Sequence, residues 1–192
     1  MANGEKQGSG GDRTMTVFWV VLALAALLLV VFLRNGKSSS QGASAGLIPQ
    51  DKREAAPEFD LAQAGGSGQI TQKDTAGKVT ILHFWATWCP PCRAEFPEFA
   101  KYALAIRENP KVAVLPVSLD ESPSVVPGFV QKYGNGIAAY TDGGKLEDAM
   151  GVASIPETIL LDKSGRVAFK SVGGQEWSEN GIGKLVEELA DE

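Results

Sequence analysis

The stretch WATWCPPC, residues 85–92, holds the only two cysteines of this chain, two positions apart with two prolines between them. Its flanks fix its setting. Residues 78–85, KVTILHFW, are apolar, β-branched and aromatic, the pattern of a central strand. Beyond Cys92, the residues Phe96, Phe99, Ala103 and Ile106 recur at helical spacing until Asn109 and Pro110 end the helix. A strand therefore runs into Cys89, and a helix starts at Pro90 or Pro91. Proline suits a helix N-terminus, because its missing N–H would be unpaired there anyway.

That placement has chemical consequences. Free backbone N–H groups and the helix dipole favour negative charge at the first thiol. A lowered thiol pKa raises the fraction of thiolate, the nucleophile of disulfide exchange. Cys89 is read as the exposed attacking thiol. Cys92, one turn on, is read as the buried resolving thiol. A purely structural disulfide is the competing reading, but this spacing closes almost no loop and would restrict the unfolded chain little. One cysteine pair cannot make a disulfide framework. With one histidine, His83, the pair also falls short of the usual four zinc ligands unless carboxylates join, so no metal is expected.

The rest of the chain divides by composition. Net charge is -5, which disfavours a nucleic-acid surface. Residues 1–14 are polar and Gly-rich, and disorder is expected there. Residues 15–33 carry no charge, and about 18 apolar residues at about 1.5 Å each reach roughly 27 Å, close to a bilayer's hydrocarbon thickness. An uncleaved transmembrane anchor is preferred to a signal peptide cleaved after the small-x-small pattern at Ala43, Ser44 and Ala45. No cysteine follows the run, so no lipidated anchor is expected. Lys6 and Arg13 before it balance Arg34 and Lys37 after it, and charge alone leaves the orientation open. Residues 34–56 read as a flexible tether, and the folded domain is expected over residues 57–192. Within it, strands are expected at 78–85, 111–120, about 138–142, 157–162 and 166–170, the last two as a hairpin. Pro116 implies that the second of these is interrupted or lies near an edge. Helices are expected after Cys92, across 122–134, at 145–150, and at the C-terminus, where Ile182, Leu185, Val186 and Leu189 form an apolar stripe. The total is an α/β sandwich of about five strands with helices on both faces.

The combination of FWATWCPPC, PEFDL, VSLDE and GVASIPETILLDKSGRV resembles the thioredoxin superfamily, and most closely its membrane-anchored, TlpA-like thiol–disulfide oxidoreductases. The resemblance covers about residues 57–192. It implies a thioredoxin-like three-layer sandwich around a central mixed sheet, with an inserted helix and strand supplied by residues 122–152. Pro97 matches the kink proline of the active-site helix. Pro156, after Ile155, matches the cis-proline beside the redox pair, which leaves a backbone edge open to an extended substrate peptide. Glu95 falls on an acidic residue that in relatives affects cysteine acidity and substrate handling; otherwise it is a solvated carboxylate in the first helical turn. Trp88 reads as apolar cover beside Cys89, and Trp85 as core. His83 departs from the pattern, since thioredoxin carries a buried acid at the matching position and many TlpA-like proteins an amide. By strand alternation His83 shares a face with Ile81 and Trp85, either as a satisfied core residue or as a proton relay beneath the thiols.

The function implied is a thiol–disulfide oxidoreductase needing no cofactor. The resemblance places the thiol domain on the extracytoplasmic, periplasmic side of a bacterial cytoplasmic membrane, single-pass. It implies reduction of disulfides in exported proteins, such as apocytochromes c or copper-delivery proteins, with electrons from a membrane thiol carrier. Two alternatives stay open: a dithiol oxidant of folding exported proteins, and a Cu(I)-binding delivery module, whose soft thiolates suit that ion but which no Met-rich or His-rich cluster supports. Peroxidase chemistry is disfavoured, since no second Thr and Cys arrangement is present.

Overall fold

Every side chain of Val79–Trp85 (β3) is buried, and this strand is the axis about which the domain is built. The computed structural model describes residues 46–192, together with Val17, Trp19 and Leu22 of the apolar run, which are helical and exposed. The expected tail, and the anchor apart from those three residues, lie outside the described residues. Among the described residues no helix is long and apolar enough to cross a membrane.

In chain order the other elements are β1 (Asp60–Gln63), β2 (Gln69–Thr71), α1 (Pro90–Ile106), β4 (Val112–Ser118), α2 (Val126–Tyr133), β5 (Tyr140–Thr141), α3 (Lys145–Met150), β6 (Glu157–Leu161), β7 (Val167–Val172) and α4 (Ile182–Asp191). The strands form one sheet in the order β2-β1-β5-β4-β3-β6-β7. β3 is parallel to β4 and antiparallel to β6, so the sheet is mixed. Its two faces follow from the alternation along β3. Ile81 and Trp85 pack with Phe96, Phe99, Val130 and Val186 from α1, α2 and α4. Leu82 and Phe84 pack with Leu61, Leu146 and Ile159, under α3. Helices thus cover both faces, as the sequence pattern implies. Fully burying each of the large apolar residues contributes about 1.5–3 kcal/mol.

Three expectations need correction. The sheet has seven strands rather than about five: β1 and β2 form a hairpin in which only Leu61 is buried. Such short, mostly polar strands carry little apolar alternation to read. Pro116 does not interrupt β4, which lies in the middle of the sheet. It is tolerated because the two-residue β5 meets β4 only at Val117, leaving Val112–Pro116 bounded by a single partner strand. Finally, the end of the expected tether is packed. The Ile48 N–H donates to Ala168 O at 2.8 Å and the Val167 N–H to Glu54 O at 2.8 Å, while Ala55 bridges Arg166. The outer edge of β7 is thereby lined by residues 48–55. Arg53 fastens this segment. Its buried guanidinium donates to Glu192 Oε2 at 2.6 Å, Glu192 Oε1 at 2.8 Å and Asp162 Oδ2 at 3.3 Å, and its Nε donates to Ile48 O at 2.8 Å. The ordered domain therefore includes residues before Pro57.

Candidate active site

Cys89 sits at the junction of β3 and α1, where strand geometry changes to helix within a few residues. It is the N-cap of α1 with an extended backbone, φ -85° and ψ 112°. Pro90 and Pro91 fill the first helical positions, where no donor is lost. The Cys92 N–H donates to Cys89 Sγ at 3.2 Å, and the Cys89 N–H donates to Ala86 O at 3.2 Å. The amide at the sulfur and the helix dipole both favour negative charge there once the bond is reduced.

The two cysteines are joined as a disulfide. Cys92 is fully buried and Cys89 is 3% exposed. Cys89 is thus less open than the sequence reading supposed. Its sulfur lies 3.7 Å from the Ile155 carbonyl oxygen and the side chain is part of the core on the α1 face. Trp88, the residue before it, is 63% exposed. The Ile155–Pro156 bond is cis. Two elements far apart in sequence therefore meet at the sulfur: the N-terminus of α1 and the loop of residues 151–156 before β6.

Glu95 lies one helical turn beyond Cys92. Its Oε1 accepts from the Gln175 N–H at 2.9 Å and from the Trp177 indole N–H, so it fastens the loop between β7 and α4. Its Oε2 is buried and has no hydrogen-bond partner among the described residues. Burial raises the Glu95 pKa above the ordinary carboxylate value, against the two hydrogen bonds, which lower it. This is not the solvated carboxylate of a first helical turn.

His83 is fully buried. Its Nδ1 is 3.1 Å from Thr158 Oγ1. Its ring stacks on Phe99, with centroids 4.3 Å apart, and meets Trp177 edge-on at 5.2 Å. Nε2 has no partner. Desolvation lowers the His83 pKa to about 3, so the imidazole is neutral at physiological pH and holds protons weakly. So low a proton affinity makes His83 a poor acceptor for a thiol proton. Trp177 touches both, through its indole N–H to Glu95 and its ring to His83.

Sequence reasoning missed Asp120. This buried carboxylate follows the C-terminal end of β4, beside β3, and grips the loop before Cys89. Its Oδ2 accepts from the Thr87 N–H at 2.9 Å and from Ser118 Oγ at 2.8 Å, and its Oδ1 accepts from Thr87 Oγ1 at 2.5 Å. The signal was available: the C-terminal ends of parallel strands are where an open α/β sheet gathers its functional groups. Gln175 and Trp177 were missed too, in a loop with no periodicity. Among the described residues no cluster of His, Cys, Asp and Glu is arranged to hold a metal ion.

Chemically, the site can cycle between disulfide and dithiol. A thiolate at one cysteine can attack a substrate disulfide, forming a mixed disulfide and releasing one substrate thiolate. The second cysteine, losing its proton, can then attack the first, restore the Cys89–Cys92 disulfide and release the other substrate thiol.

Comparison with known proteins agrees with this chemistry. Residues 53–170 match the AhpC/TSA family. The chain is 31% identical over 150 residues to the thiol-disulfide oxidoreductase ResA of Bacillus thuringiensis (strain Al Hakam), covering 78% of this chain and 86% of that one. Among solved structures it is similar to a secreted thiol-disulfide isomerase from Corynebacterium glutamicum, with a TM-score of 0.68 and 25% identity over 80% of this chain and 96% of that one. It is also similar to StoA from Bacillus subtilis, with a TM-score of 0.56 and 26% identity over 71% and 96% of the two chains.

Proposed function

This chain belongs to the AhpC/TSA family and is a thiol–disulfide oxidoreductase of the ResA type; from that premise we propose that it reduces disulfides of exported proteins from an anchored position outside the cytoplasmic membrane. The observation that carries the chemistry is Cys89 at the N-cap of α1, bonded to Cys92 and bordered by the Ile155 carbonyl. In this reading Cys89 attacks and Cys92 resolves. Glu95, with its unpartnered oxygen and raised pKa, takes the Cys92 proton as the mixed disulfide resolves. The substrate chain lies along residues 151–156. Apocytochromes c or copper-delivery proteins are the substrates favoured, with a membrane thiol carrier as electron donor. The uncharged run at residues 15–33 supports anchoring, and the secreted relative supports an extracytoplasmic site.

The deciding measurement is the equilibrium potential of the Cys89–Cys92 pair against glutathione buffers. A reductant should sit near thioredoxin, about -270 mV. A value above about -150 mV would reassign the protein as an oxidant of folding proteins. Attack by Cys89 is tested separately: Cys92→Ser should accumulate mixed disulfides with substrate, and faster alkylation of Cys92 than of Cys89 in the reduced parent would reverse the two roles.

A further inference from the structure

Lys170 takes no part in the chemistry above, yet its ammonium ties together both ends of the loop that borders Cys89. It projects from β7. Its Nζ donates to the carbonyl of Met150, the last residue of α3, at 2.9 Å, and has the Gly151 carbonyl at 3.5 Å. The same Nζ is 3.1 Å from Glu157 Oε1, at the start of β6, within ion-pair range although off the hydrogen-bonding direction. Glu157 is buried.

Two features here call for a cation. The last carbonyls of a helix carry partial negative charge. A buried carboxylate without a counter-charge is costly. Lys170 answers both at once, and between its two contacts run residues 151–156. The start of that loop is held by the Gly151 and Val152 N–H groups on Asp148 O and Glu147 O, and its end by the Gly173 N–H on Pro156 O. Ala153 and Ser154 in the middle are exposed. Ile155 follows, with its carbonyl 3.7 Å from Cys89 Sγ.

We infer that Lys170 is a positioning residue: by bridging Met150 to Glu157 it holds residues 151–156 as a fixed platform for the substrate chain, and so governs the rate on peptide disulfides but not on small ones. The inference rests on the reading that the substrate chain lies along this loop. A peptide must be aligned along the loop for its disulfide to meet Cys89 in line, and a loosened platform forfeits that alignment. A small disulfide needs only to reach the sulfur.

The test uses the full chain in detergent, reduced with dithiothreitol and then freed of it, so that the dithiol supplies both electrons and becomes the disulfide. Second-order rates are measured on a synthetic peptide closed by one disulfide and on hydroxyethyl disulfide. Lys170→Met should lower the peptide rate about tenfold and the hydroxyethyl disulfide rate less than about twofold. Lys170→Arg should restore the peptide rate. Because Lys170→Met leaves Glu157 buried without its cation, the pair Lys170→Met with Glu157→Gln is measured alongside and should show the same selective loss. Parental peptide rates in both variants, or equal losses on both substrates, would overturn the inference. Failure of the parent itself on the peptide, with hydroxyethyl disulfide still reduced, would overturn the peptide-disulfide reading and this inference with it.

Discussion

His83 binds its proton only below a pH of about 3 when folded, against an ordinary value of 6.5. Between those values the unfolded chain holds more protons at this position than the folded one. Stability from His83 is therefore lost as pH falls through that window, by up to about 1.4 kcal/mol per pH unit. His83→Leu should flatten the acid side of a plot of denaturation midpoint against pH; an unchanged slope would mean that other groups set it. Glu95 works in the opposite sense. Its folded pKa is raised, so the ionised form is disfavoured by folding and its cost appears as pH rises through the raised value. In the proposed mechanism the ionised form accepts the Cys92 proton. Resolution of the mixed disulfide should slow as pH falls and Glu95 takes up its proton. Glu95→Gln should lower the resolution rate by about a hundredfold or more and remove that pH limb; stopped-flow measurement of the Trp fluorescence change would follow it. The chemistry of Cys89 was legible in the sequence because residue type and spacing alone place it. The burial of Glu95 was not, because its partners Gln175 and Trp177 lie some 80 residues away.

At the scale of elements, the loop before Cys89 owes its shape to Asp120. Removing that carboxylate strands the Thr87 N–H and the Ser118 hydroxyl, both donors to it, and a buried unpaired donor costs about 1–3 kcal/mol. Asp120→Ala should lower unfolding stability by about that amount and change the alkylation rate of reduced Cys89, while Thr87→Val, which loses only the hydroxyl bond, should do less of both. Equal alkylation rates in parent and Asp120→Ala would detach this contact from the thiol. Elements with strong local signals were readable: β3, α1 and the β6–β7 hairpin follow from apolar runs and turn residues. The β1–β2 hairpin was not, because its strands are short and mostly polar and its only other partner is the two-residue β5. Pro116 misled for the complementary reason. A proline excludes a ladder bond but cannot say that a two-residue neighbour leaves the position without one.

For the molecule as a whole, the proposed membrane topology sets which side of the membrane the thiols serve. Protease added to intact spheroplasts should remove the thiol domain and leave a short anchored stub; a fully protected domain, or a soluble form beginning after Ala45, would each refute part of it. The clasp of Arg53 on Asp162 and Glu192 bears on stability; Asp162 keeps its ion pair with Arg166 when Arg53 is lost, so the cost is that of a few hydrogen bonds to charged groups, about 1.5–3 kcal/mol each at most. Arg53→Met should therefore lower the denaturation midpoint markedly without changing the potential of the thiol pair. This segment was read as a tether because its composition is that of a linker, and a single arginine gives no local sign that its partners lie more than a hundred residues away. Its backbone has one more effect. By pairing with β7 at Ala168, Val167 and Arg166, residues 48–55 occupy a row of amides and carbonyls that another chain would otherwise find open. A bare strand edge is a template for adding foreign strands. A chain shortened to begin at Pro57 should thus fold around the same thiols yet assemble into concentration-dependent oligomers, seen by sedimentation, where a soluble chain beginning at Gly46 stays monomeric. The stretch that read as a leash would then also be what keeps neighbouring copies apart.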